Sequence, residues 1–245
     1  MVKLTFLGCG DAFGSGGRFY TCFLLETSGK KILVDCGASA VISMKKMGIS
    51  PGEIDAIVIS HLHGDHFGGI PFFLIDCKHV SNRTKNLIIA GPQNIASRTA
   101  IVSEALYPNS WQSDRGFDLE FEEMAEGNTS ILPGIRVTPF PVVHPSGSQS
   151  FGLRIEAEGK VLAYSGDTEW TDTLIPLSEG ADLFVCECYK YDQQLRFHLD
   201  YQTLLSKREQ LNCRRMILTH MSEEMLSKKE TSVFECAYDG MVAVL

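Results

Sequence analysis

Four residues able to bind metal, His61, His63, Asp65 and His66, crowd the run Ser60-His61-Leu62-His63-Gly64-Asp65-His66. Donors this close together, at the end of an apolar run where the chain can turn, aim at one volume. A lone histidine is usually a surface group or a satisfied core group, but that explanation fits a cluster of four poorly. Three imidazoles and a carboxylate cannot all bind one tetrahedral zinc and leave room for substrate and water, so the cluster points to two metals and needs further donors. His144, Asp167 and His220 are candidates, because each lies just past an apolar, strand-like run (135–143, 160–165 and 214–219). Two such metals generate a nucleophile at neutral pH by lowering the pKa of water to about 7, which is hydrolytic chemistry. The histidine-rich set favours two Zn2+, and Mn2+ or Fe2+ also occupy mixed imidazole and carboxylate sites.

The elements that must carry these residues are readable from periodicity. Strand patterns at 4–7, 21–26 and 31–35 are separated by glycine-bearing turns and look like a meander. A helical pattern over 38–48 stops at a glycine, and the buried-strand pattern 54–60 then delivers the chain to His61. Beyond the cluster, 70–80 reads as helix, 86–90 as strand and 92–107 as helix with a proline near its start. The second half repeats the theme, with strands at 117–121, 135–139, 149–156, 160–165, 182–188, 214–219 and 241–245 and helices at 172–177 and 201–212. Two successive sets of strands and helices without a Pro-rich linker predict one domain over 1–245, an α/β four-layer αββα sandwich.

Composition narrows the partners. With 22 basic against 30 acidic residues the formal charge is -8, which opposes broad attraction to a phosphate backbone and makes a large nucleic-acid footprint unexpected. A small anion that reaches only a local cationic or metal-rich site is compatible with it. The eight cysteines are scattered and read as reduced thiols, with Cys186 and Cys188 inside a buried strand pattern. The opening Met1-Val2-Lys3-Leu4-Thr5-Phe6-Leu7 is strand-like and too short for a secretory core, and no apolar run reaches the roughly 18 residues of a membrane span. The expectation is a soluble, cytoplasmic protein without membrane contact. The glycine-rich segment 8–17 is followed by no helix and contains no Gly-Lys-Ser/Thr, so it reads as a flexible turn at the site rim and not as a phosphate loop.

These motifs, in this order, resemble the metallo-β-lactamase fold hydrolases. The resemblance runs from Phe6-Leu7-Gly8-Cys9-Gly10 through the histidine cluster and Ser165-Gly166-Asp167-Thr168 to Thr219-His220. It implies that His61, His63 and His144 hold one zinc and Asp65, His66 and His220 the other, with Asp167 between them. It also implies a homodimer. Within the family the chain looks most like the ribonuclease Z and phosphodiesterase branch, because His198 lies between Asp167 and His220 where ribonuclease Z carries the histidine that serves the leaving group. Glu187 is similar to the glutamate that supports that histidine. One departure is the short interval 145–166, where ribonuclease Z usually carries its tRNA-grasping arm and this chain has two strand patterns and a turn.

The resulting expectation is a phosphodiesterase acting on a small phosphodiester such as a cyclic nucleotide. Asp65 would orient the nucleophile, His198 would donate to the departing oxygen, and Glu187 would hold and charge His198. His198 could instead cap the helix that starts at Tyr201 or occupy a surface turn. The same fold and donors also suit a lactone, thioester or sulfate-ester hydrolase, a ribonuclease Z-like RNA endonuclease, or a metal-dependent nucleotide-binding protein without useful turnover.

Overall fold

Fourteen strands form in the computed structural model, which describes residues 1–245. The antiparallel meander β1 (Lys3–Gly8), β2 (Cys22–Thr27) and β3 (Lys30–Val34) opens the first sheet. Strands β4 (Ala56–Val58), β5 (Leu87–Gly91) and β6 (Leu119–Glu123) extend it in parallel. Crossovers run through α1 (Ala40–Lys46), the paired α2 (Gly64–Phe67) and α3 (Ile70–His79), and α4 (Ile95–Leu106), because parallel neighbours need a helix-length return. The second sheet repeats the plan. Strands β7 (Ser130–Leu132), β8 (Ile135–Pro141), β9 (Phe151–Ala157) and β10 (Lys160–Tyr164) form a meander. Then β11 (Leu183–Glu187), β12 (Met216–Thr219) and β13 (Glu235–Cys236) add in parallel. Helices α5 (Leu174–Ser178), α6 (Tyr201–Lys207) and α7 (Glu223–Ser227) cover them.

Three apolar interlayers make this a four-layer sandwich. The largest, of 27 buried residues including Phe6, Phe23, Val58, Leu153 and Val185, lies between the sheets. One of 19 packs Leu33 and Ile57 against Met44 and Phe73 of the first helical layer, and one of 15 packs Phe184 against Leu177 and Leu204 of the second. In the central layer Phe23 meets Phe6 and Tyr164 edge to face at 5.0 and 5.3 Å. No helix is long and apolar enough to cross a membrane. The eight cysteines are unpaired, and Cys186 and Cys188 are fully buried beside Glu187.

Four of the sequence-based expectations need correction. The strands expected at 117–121 and 241–245 belong to the first sheet and not to the second set. The last one, β14 (Val242–Val244), pairs antiparallel with β1 and covers what would otherwise be an open edge. The helix over 201–212 is well started by Asp200, whose Oδ1 accepts from Thr203 N at 2.9 Å, but it tightens into a 3-10 turn at Arg208–Gln210. The glycine-rich segment is tied down instead of free. The fully buried Asp11 accepts from Ser15 N at 2.8 Å and Ser15 Oγ at 2.7 Å, and Asp239 accepts from Cys9 N at 3.1 Å and Phe19 N at 2.8 Å.

Candidate metal centre

The site lies where the parallel strands of both sheets end, the usual location for ligands in open α/β sheets. Strand β4 runs into Ser60 and His61, and His63 opens α2, which carries Asp65 and His66. From the second sheet, His144 follows β8, Asp167 follows β10, and His220 follows β12. Phe151 N donates to Ser60 O at 3.0 Å, which joins the sheets beside the centre. Gly37 lets the chain leaving β3 pass under α2, since a Cβ there would sit 2.2 Å from Asp65 O. Gly166, at φ 60, turns the chain into Asp167 in a conformation that disfavours side chains.

Two groups contain the seven donors expected from the sequence, and His198 joins two further ones, with His144 and Asp167 and with Glu187 and His220. Ligand atoms of His61, His63 and His144 lie within 4.8 Å of one another, and so do those of Asp65, His66, Asp167 and His220. Asp167 stands between the groups. Its Oδ2 is 3.8 Å from His61 Nε2, 3.9 Å from His144 Nε2 and 3.2 Å from His220 Nε2, and its Oδ1 is 3.3 Å from His66 Nε2. Asp65 Oδ2 lies 3.2 Å from His220 Nε2 and 3.3 Å from His66 Nε2.

Outer contacts fix the rings. His66 Nδ1 donates to Asp35 Oδ2 at 2.7 Å, and His144 Nδ1 donates to Phe197 O at 2.9 Å, which assigns tautomers that free both Nε2 lone pairs. Ser60 Oγ donates to Asp35 Oδ2 at 2.8 Å and lies 3.1 Å from His61 Nδ1, extending the same support to His61. Tyr164 OH reaches across from the second sheet to Asp35 at 3.0 Å. Asp35, His220 and Phe197 have φ of 58, 56 and 72, a left-handed conformation costing about 1 kcal/mol or more for each non-glycine residue. Such strain concentrates at functional sites.

Burial and neighbouring charges separate the histidines electrostatically. Burial, with His66 nearby, pushes His61 well below the ordinary imidazole value, and burial holds His144 at about 4, so both are neutral donors. Burial would also lower His66 and His220, but Asp167 and Asp65 overcome it and raise both. Conversely, burial would raise Asp65 and Asp167, and the facing histidines hold both carboxyls low.

The donor set fits metal. Five buried side-chain polar atoms have no hydrogen-bond partner, and four of them are His61 Nε2, His66 Nε2, Asp167 Oδ1 and His220 Nδ1. Unpaired buried polar groups are costly, so their concentration in one place calls for a binding partner. Imidazole nitrogens with two carboxylates draw positive charge between them, which is the environment of a divalent cation.

His198 and Glu187 stand beside this centre. Glu187, fully buried at the end of β11, accepts from Thr168 N, and its Oε2 lies 3.2 Å from His198 Nδ1. The His198 ring stacks over His220 at 5.6 Å and lies 4.9 Å from His144 and 5.0 Å from Tyr189. Burial would lower its pKa, but the Glu187 carboxylate raises it to about 9. Thus all nine residues singled out in the sequence come together. The helix that follows is capped by Asp200.

Sequence reasoning missed Asp35, Ser60 and Tyr164, whose only local signal is a polar group at an apolar strand's end or within it. Asp35→Ala leaves His66 Nδ1 and Ser60 Oγ without their acceptor. It is expected to weaken metal retention about 10- to 100-fold, measured by competition with a chelator. Unchanged retention would refute the orienting role.

The two sheets, their helical layers and this donor set define a metallo-β-lactamase fold protein, a class of metal-dependent hydrolases. Within that class the chain belongs to the family of the anti-Pycsar protein Apyc1, whose model matches residues 2–237. It is 28% identical to the Mycobacterium tuberculosis protein Rv1339 over 98% of this chain and 88% of that one. It is 24% identical to the ribonuclease Z of Clostridioides difficile over 96% and 94% of the two chains. The metallo-β-lactamase fold protein YhfI from Bacillus subtilis has the same fold, with a TM-score of 0.79 at 21% identity and 100% of both chains covered.

Proposed function

We propose that this protein is a dinuclear metal-dependent phosphodiesterase that hydrolyses a small cyclic nucleotide. The observation that carries the reading is the His198–Glu187 pair beside a two-part donor cluster. A thioester's thiolate or an aryl sulfate's phenolate departs without such an acid, whereas a nucleoside alkoxide leaving phosphorus needs one. The family's anti-Pycsar description and its association with cyclic-nucleotide degradation favour the same substrate class. The interval 145–166 supports a small substrate over tRNA, since it contains only β9, β10 and their connections and no projecting arm.

In this reading His61, His63 and His144 would hold one Zn2+ and Asp65, His66 and His220 the other, with Asp167 available to both. Manganese or iron would suit the same mixed donors. Bound metal would supply an acidified water as nucleophile and neutralise phosphate oxygens. Asp65 would orient the nucleophile by accepting a hydrogen bond from it. His198, protonated on both nitrogens, keeps Nδ1 on Glu187 and delivers its Nε2 proton to the oxygen leaving phosphorus. Glu187 holds the ring in place and keeps it charged.

Protonated His198 is fully present at low pH and is lost as pH rises through about 9. Cations in the cluster pull that limit down. In Glu187→Gln the supporting charge is gone, so the alkaline limb of kcat should move towards or below the ordinary imidazole value of 6.5. Turnover at pH 8 then falls about tenfold or more relative to wild type. An alkaline limb at the same pH in both proteins would remove Glu187 from the mechanism. The decisive assay is turnover of 3′,5′-cyclic nucleotides and bis(p-nitrophenyl) phosphate by zinc- or manganese-loaded protein. Hydrolysis of acyl or sulfate esters but no phosphodiester would overturn the proposal, and tight nucleotide binding without turnover would make the protein a binder.

A further inference from the structure

A cavity of about 230 Å3 opens between α3 and α4 beneath the loop 107–115. Its wall includes Lys78, His79, Ser103, Trp111, Ser113 and Arg115, and no aspartate or glutamate. That is unexpected in a chain of net charge -8. The two permanent cations bond to neutral acceptors. Lys78 Nζ donates to Ser113 Oγ at 2.9 Å, and Arg115 lies 4.4 Å over the Trp111 ring while donating to Trp111 O. Nearby carboxylates are committed elsewhere. Asp76 pairs with Lys45, and Glu104 accepts from Asn109 N at 2.7 Å and Trp111 N at 2.9 Å.

A second observation concerns Ser103. It is 4% exposed, and its hydroxyl is the one buried side-chain polar atom outside the metal centre without a partner. A donor of this kind together with cations lacking counter-ions is the chemistry of an anion site: a fork of guanidinium donors, an ammonium point charge and hydroxyls. The volume is below the roughly 300 to 1,000 Å3 of sites that enclose drug-sized molecules. It therefore suits a group of phosphate size, with any attached nucleoside outside.

We propose that the cavity between α3 and α4 binds a phosphate-group anion, either free orthophosphate or the phosphate monoester of a nucleotide. This does not depend on the activity proposed above. The loop 107–115 carries Trp111 and Arg115 and closes over the anion.

The metal centre can also attract phosphate, so the test must report locally. Trp111 and Trp170 are the chain's two tryptophans, and Trp170→Phe leaves Trp111 as the sole indole emitter. Orthophosphate and, separately, a nucleoside 5′-monophosphate are titrated into the full-length, metal-loaded Trp170→Phe protein while Trp111 emission is followed. A saturable change is expected with at least one of them, and which one responds identifies the source of the phosphate. Adding Lys78→Gln or Arg115→Gln should raise the dissociation constant about tenfold or more, the effect of losing a charged hydrogen bond. Lys78→Gln leaves the Arg115 contacts with Trp111 that hold the loop in place. No saturable response to either anion, or the same dissociation constant with and without Lys78→Gln, overturns the proposal.

Discussion

His198→Ala is expected to lower kcat for a cyclic nucleotide by about 10²- to 10⁴-fold, the range supplied by a positioned general acid. Metal content should stay as in wild type, because His198 Nδ1 is turned to Glu187 and the donors of both clusters are complete without it. The loss should depend on the leaving group. A nucleoside alkoxide needs a proton as it departs, whereas p-nitrophenolate leaves unaided, so bis(p-nitrophenyl) phosphate should be affected far less. That contrast separates proton donation from a packing role, which the stacking of His198 on His220 would otherwise allow. Equal losses on both substrates, or loss of metal in the variant, would make His198 a structural support of the centre.

What the sequence revealed and what it hid follow from the range of the interactions. His61, His63, Asp65 and His66 were legible because their donors are neighbours in the chain, and the apolar run before them predicts the strand that delivers them. His144, Asp167 and His220 were legible because each follows its own strand pattern. Their convergence, however, depends on two sheets meeting face to face, which local periodicity does not encode. Asp35 was missed for that reason. Its importance arises from partners on α2, at Ser60 and on β10, and its φ of 58 leaves no mark on residue type. The pairing of β14 with β1 joins opposite ends of the chain, so order along the sequence assigned it to the wrong sheet. The helix α2 is too short for a 3.6-residue period to emerge, and its glycine start conceals it further.

Asp167→Asn tests the centre itself. In the proposed arrangement this carboxylate faces both clusters, with one oxygen 3.3 Å from His66 Nε2 and the other 3.8 Å from His61 Nε2. The amide keeps the shape but gives up the charge and one acceptor, so bound metal should fall from two ions per chain to one or none. Turnover should fall by about 10³-fold or more, the equivalent of several kcal/mol of lost charge stabilisation. Thermal stability gives a readout that needs no substrate. A metal that binds only the folded chain, supplied at 100 times its dissociation constant, stabilises it by about 2.7 kcal/mol, and chelation reverses this. For a protein of this size that amounts to a chelator-induced fall in Tm of roughly 5 to 10 °C. The fall should shrink by at least half in Asp167→Asn, because the variant has less bound metal to lose. If the variant kept two ions and the full chelator-induced shift while losing turnover, Asp167 would act on the substrate and not as the residue that joins the two halves of the centre.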